Sequence, residues 1–148
     1  MKRQQEEKTR LNMIGEFAVC VELLKRGIHA FVTYGNQKAA DIITVGKDKR
    51  ASVIEVKTSD SNRIVTGFFQ KYYIENMVEC PDFWVLVHFD SKTLQAEFYV
   101  LTHQEMGNEQ MKRNNMSEWK FVNGVDNVSL KALLEYKGEW SKIQTVVG

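Results

Sequence analysis

The sequence predicts an α/β fold, with a mixed central sheet flanked by helices. Three observations carry that expectation. The apolar residues change period along the chain, in the order helix, three strands, helix, two strands, helices. The 148 residues are 43% hydrophobic and include 8 Phe, 5 Tyr and 3 Trp, enough for a sizeable core and too aromatic for a solvated chain. No Gly/Ser/Pro linker or internal repeat interrupts them, so one domain over residues 1–148 is expected.

A helix is expected over about the first 25 residues, with Asn12 as the point where it would break. Its core face is read as Met13, Phe17, Cys20 and Leu24, with Ile14, Ala18 and Val21 beside them. Lys25 and Arg26 fall in the last turn, and Gly27 suits the residue just past it. Strands follow at Ile28–Tyr34, Ala39–Val45 and Ala51–Thr58. The first two are joined by a turn at Gly35–Lys38, the last two by a hairpin loop from Gly46 to Arg50. After the polar stretch Ser59–Arg63, a second helix is expected from about Gly67 to Val78, ahead of the lone Pro81. Phe83–Phe89 is the most apolar strand, and Ala96–Leu101 is its partner across a turn at Asp90-Ser91-Lys92. Helices are expected at His103–Asn115 and Ser129–Tyr136, and Trp119, Phe121 and Trp140 should dock the tail on the core.

Asp41 and Glu55 stand inside strands that are otherwise apolar, where carboxylates rarely sit without a partner. Strand period puts Glu55 and Lys57 on one face. If the hairpin is symmetric about Asp48, Asp41 lies opposite Glu55. Opposed residues on antiparallel strands have β-carbons roughly 4.5–5.5 Å apart. Two carboxylates that close must share a proton, take a basic partner or bind a cation. A hard divalent cation such as Mg²⁺, held by both carboxylates and the Val56 carbonyl and otherwise by water, suits them. Lys57 would lie beside it, placed to orient or deprotonate the nucleophile or to offset charge on a phosphate. The chemistry implied is metal-assisted hydrolysis of a phosphodiester.

Asp41, Glu55-Val56-Lys57 and the helical Glu16 resemble the PD-(D/E)XK nuclease superfamily, including the Holliday-junction resolvases. The resemblance implies a restriction-endonuclease-like αβββαβ core, DNA as substrate, and Mg²⁺ as cofactor with Mn²⁺ substituting. It makes Asp41 and Glu55 the metal carboxylates and Lys57 the lysine of the motif. Glu16, in Gly15-Glu16-Phe17-Ala18, resembles the extra acid that resolvase-like members carry on the first helix, and Gln70 resembles a polar residue some members use near the site. Ala40 stands where the motif name has proline, a departure that many members share.

Other residues have plainer readings. Lys47, Lys49 and Arg50 form a solvated hairpin tip that could also touch a phosphate backbone. His29, His88 and His103 share no zinc-ligand spacing with each other or with Cys20 and Cys80, which read as small core residues. Trp84, Phe98 and Tyr99 read as core. Residues 1–74 carry 13 Lys/Arg against 8 Asp/Glu, and residues 75–148 carry 7 against 11, so one face can be basic although the net charge is +1. No apolar run is long enough to span a membrane, and no secretory pattern follows the N-terminal Met-Lys-Arg, so a cytoplasmic protein with reduced thiols is expected. A homodimer is expected, since cutting two strands favours two-fold symmetry, with membership of a larger assembly as a further expectation. The competing reading is a catalytically inactive module that keeps the fold to bind nucleic acid or protein.

Overall fold

Helix α1 runs unbroken from Lys2 to Lys25, straight through Asn12. It stops where the chain reverses. Gly27 takes φ +77°, Gly27 N–H donates to the Leu24 carbonyl and Ile28 N–H to the Leu23 carbonyl, which satisfies the last turn. A computed structural model describes residues 1–33, 41–73 and 77–147. The Gly35–Lys38 turn and Ala40 lie outside the described residues.

Strands β1 (His29–Val32), β2 (Ile42–Val45) and β3 (Ala51–Ser59) form an antiparallel meander. β5 (Phe83–Asp90) then adds parallel to β3, and β6 (Gln95–Thr102) pairs antiparallel to β5. The sheet is therefore mixed, in the order β1-β2-β3-β5-β6. A separate ribbon pairs β4 (Arg63–Val65) with β7 (Asn127–Ser129). The sequence reading missed both, because three residues are too few to show alternation.

Alternation along the strands divides the core in two. Ile54, Val56, Val85 and Val87 pack with Val19 and Leu23 of α1 and with Ile143 and Val147 of α3 (Ser141–Val147). Trp84, Leu86, Tyr99 and Leu101 point the other way, onto Phe68, Phe69 and Met106. Met106 belongs to α2 (His103–Arg113), whose first turn is closed by a reciprocal Thr102–Glu105 capping box. Glu55 lies beside Trp84 in the register and Lys57 beside Leu86, so both belong to this second face.

Four expectations are corrected. The face of α1 that packs is Gly15, Val19 and Leu23, while Met13, Phe17, Val21 and Leu24 are 48, 41, 50 and 51% exposed. Gly15 decides between the two stripes. A β-carbon there would collide with the Thr58 side chain, so the helix sits against β3 more closely than a bulky stripe permits. The second helix is instead a π-helical turn, Phe68–Tyr72, entered through Gly67 at φ +66°, and a 3₁₀ turn at Met77–Glu79. Aromatic residues are weak helix formers, and here they pack as a cluster. The Ser129–Tyr136 helix is a 3₁₀ helix, Leu130–Tyr136. In the tail, Trp140 is buried but Phe121 is exposed. Cys20 and Cys80 are partly and fully buried, with Sγ donating to the Ala30 and Tyr72 carbonyls. No helix among the described residues is long and apolar enough to cross a membrane.

Candidate active site

The hairpin has the register expected from its symmetry: Val45 faces Ala51, and Ile42 faces Ile54. Asp41 is the next residue, where β2 leaves the sheet. Its backbone is pinned on both sides, N–H donating to the Ile54 carbonyl and carbonyl accepting from Thr33 N–H. Its Oδ2 accepts from Val56 N–H at 2.9 Å. That bond holds the Asp41 carboxylate against the strand that carries Glu55.

Glu55 is 4% exposed. Its Oε1 meets Lys57 Nζ at 3.2 Å, and its carboxylate also accepts from the Tyr72 hydroxyl. Lys57 Nζ stands 5.7 Å above the Tyr72 ring. Glu16 reaches the group from α1 and hydrogen-bonds to the Asp41 carboxylate. Asn12, one turn earlier on the helix, lines the same cleft, as do Lys71 and Tyr72 of the π turn. The cleft has a volume of about 540 Å³.

Its electrostatics are those of an acidic cluster short of cations. Burial, then the Asp41 charge, raises Glu55 to about 7, against the pull of Lys57 and Tyr72. Burial, then Asp41, raises Glu16 to about 7 as well. Burial and the Glu55 charge push the Tyr72 hydroxyl far above its ordinary range, so it stays a proton donor. One lysine is thus shared among three carboxylates. Among the described residues no set of three or more His, Cys, Asp or Glu converges as a ligand shell. What is available is an all-oxygen set, Asp41, Glu55 and a strand carbonyl, which suits a hard cation that keeps its waters and not zinc.

The structure thus brings Glu16, Asp41, Glu55, Val56 and Lys57 to one cleft. It does not bring the other expected residues there. Gln70 is exposed and lies outside the cleft lining, which Lys71 and Tyr72 supply in its place. A π turn bonds i to i+5, so the face each residue presents shifts from that of an α-helix. Lys47, Lys49 and Arg50 are exposed at the far end of the hairpin, roughly 17 Å along the strand from Asp41 at ~3.3 Å per residue. Lys47 borders a different cleft, with Arg26 and His29. Asn12 was read only as a helix break, and Lys71 and Tyr72 carried no site reading in the sequence. The one signal for Tyr72 was its place in a run of aromatics beside a proposed site.

No family model matches the chain, and no curated protein matches it. Among solved structures it is similar to the bacterial homing endonuclease I-Ssp6803I, with a TM-score of 0.58 and 12% identity over 93% of this chain and 91% of that one. At that identity the likeness establishes the shared fold.

Proposed function

We propose that this chain is a Mg²⁺-dependent endonuclease of the PD-(D/E)XK type that hydrolyses DNA phosphodiesters. The observation that supports this most is the meeting of Asp41 and Glu55 from adjacent strands, beside Lys57, in an open cleft. The neighbour with the same fold is itself an endonuclease. Asp41, Glu55 and the Val56 carbonyl would hold the cation, with Mn²⁺ able to replace it. When bound, the cation stabilises negative charge on the scissile phosphate and makes water acidic enough to attack near neutral pH.

The protein's own groups do the rest. Tyr72 steadies the Glu55 carboxylate, and Glu16 braces that of Asp41. Lys57, its side chain 26% exposed, offsets charge that develops on the phosphate. Lys71, which lines the cleft and makes no ion pair among the described residues, contacts a backbone phosphate. In the reaction the water oxygen bonds to phosphorus, one P–O ester bond breaks, and a proton ends on the departing oxygen. Two protomers in a homodimer would each cut one strand.

The test is cleavage of duplex, branched and single-stranded DNA with Mg²⁺ or Mn²⁺. Parent protein should cut at least one of them, and Asp41→Asn and Lys57→Ala should each lose about 10²-fold or more in rate. Equal cutting by parent and variants would overturn the assignment. The Glu55–Lys57–Tyr72 cluster, already closed upon itself, supports a second reading, a non-catalytic nucleic-acid-binding module. Salt-sensitive DNA binding by the parent, with no metal-dependent cleavage, would favour it.

A further inference from the structure

Met13, Phe17, Cys20 and Leu24 follow one another at spacings of four, three and four along α1, the repeat of a coiled-coil seam. Val21 widens the seam on one side. Yet Met13, Phe17, Val21 and Leu24 are all about half exposed, and Cys20 is only partly covered. Four large apolar side chains in one line over three turns are not the scattered exposure of an ordinary surface.

The seam also matches itself. About a two-fold axis between Ala18 and Val19, paired positions have numbers summing to 37. Met13 then meets Leu24, and Phe17 meets the small Cys20, so each large side chain has room. By the same rule Val21 meets Glu16 and Arg10 meets Gly27, so no like charges oppose. A parallel pairing would set Phe17 on Phe17 and Lys25 on Lys25. The half-exposed side chains leave on the order of 400 Å² of apolar surface per chain. Two such faces with their polar margins come near the ~1,200 Å² at the low end of specific interfaces. Residues 1–10, which include the first nine of α1, are all exposed, so a partner can approach along the helix without obstruction.

We propose that α1 is the dimer interface: two copies of this chain pair α1 against α1, antiparallel, through Met13, Phe17, Cys20, Val21 and Leu24. Glu16 flanks this seam, so the two clefts would lie on either side of one axis. The proposal names the surface for the homodimer inferred above, but dimerisation and cleavage fail separately. Sedimentation equilibrium of the full chain at micromolar concentration should show a dimer. Phe17→Glu should weaken it at least about tenfold while keeping the far-ultraviolet circular dichroism of the parent. Leu24→Lys serves as the second variant should Phe17→Glu not fold. Register is read by disulfide trapping. Oxidised Phe17→Cys should form a covalent dimer through Cys20, and adding Cys20→Ser should abolish it. A monomeric parent, or a dimer indifferent to both charged variants, would overturn the proposal. So would a Phe17→Cys crosslink that survives loss of Cys20.

Discussion

Glu55 is a buried carboxylate whose nearest cation, Lys57, must also answer for Asp41 and Glu16. A cation arriving between Asp41 and Glu55 relieves that imbalance, so it should bind the folded chain and not the unfolded one. Excess Mg²⁺ at a hundred times its dissociation constant would then add about 2.7 kcal/mol of stability. The expected outcome is a rise in Tm with Mg²⁺ that Asp41→Asn abolishes, read by calorimetry. A rise of equal size in the variant would mean the ion binds elsewhere. Lys71 calls for a different readout, because it lines the cleft and makes no ion pair among the described residues. Lys71→Ala should weaken DNA binding and reduce the slope of log affinity against log salt by about 1. It should leave the Mg²⁺-induced rise in Tm intact. An unchanged salt slope would remove Lys71 from the phosphate contacts.

At the scale of elements, what the sequence shows depends on whether the signal is local. The Asp41–Glu55 apposition was legible because a short hairpin fixes its own register, and Val45 opposite Ala51 carries that register up to Asp41. The strand pair β5 and β6 was legible for the same reason, as an apolar run and its partner across a four-residue turn. Helix α1 was legible as a helix but not in its orientation. It carries two stripes at helical spacing, and hydrophobicity favours Met13-Phe17-Leu24 over Gly15-Val19-Leu23. The choice is made by Thr58, forty-three positions away in the numbering, against which only a glycine fits. Tyr72 and Lys71 were hidden because a π turn is a tertiary outcome of aromatic packing and leaves no periodic mark. The close approach at Gly15 has a measurable consequence. Alanine normally gains about 1 kcal/mol over glycine in a helix. At Gly15→Ala that gain should be outweighed by overpacking of about 1–3 kcal/mol, since Thr58 is stiff at χ1. Thermal unfolding should show a Tm lower by a few degrees. A stabilised variant would mean that α1 does not sit so close to β3.

For the whole molecule, two sets of buried or half-buried groups pull stability in opposite directions as pH changes. His103 accepts from the Trp84 indole N–H at 2.9 Å through Nδ1, and burial lowers it to about 4. Its unfolded form titrates near 6.5, so the unfolded chain binds the extra proton between about 6.5 and 4. Stability from a neutral His103 is complete above that window and is lost as pH falls through it, by a few kcal/mol at most. Glu16 and Glu55 behave in the reverse sense. Each rises from 4.5 to about 7 on folding, so here the folded chain holds the extra protons. Their contribution is full below 4.5 and is lost as pH rises through 7. Above 6.5 the histidine has nothing left to give, and the carboxylate cluster alone sets the slope among these groups. The metal-free protein should therefore lose Tm between pH 6.5 and 8. Saturating Mg²⁺ should flatten or reverse that fall, because an ion between Asp41 and Glu55 favours the charged forms that burial penalises. The measurement is a set of calorimetric scans across that range, with and without Mg²⁺, on the parent and on Glu55→Gln. A metal-free Tm that holds level to pH 8 in the parent would mean that folding does not strain these carboxylates. The cleft would then lack the electrostatic reason to take up a cation.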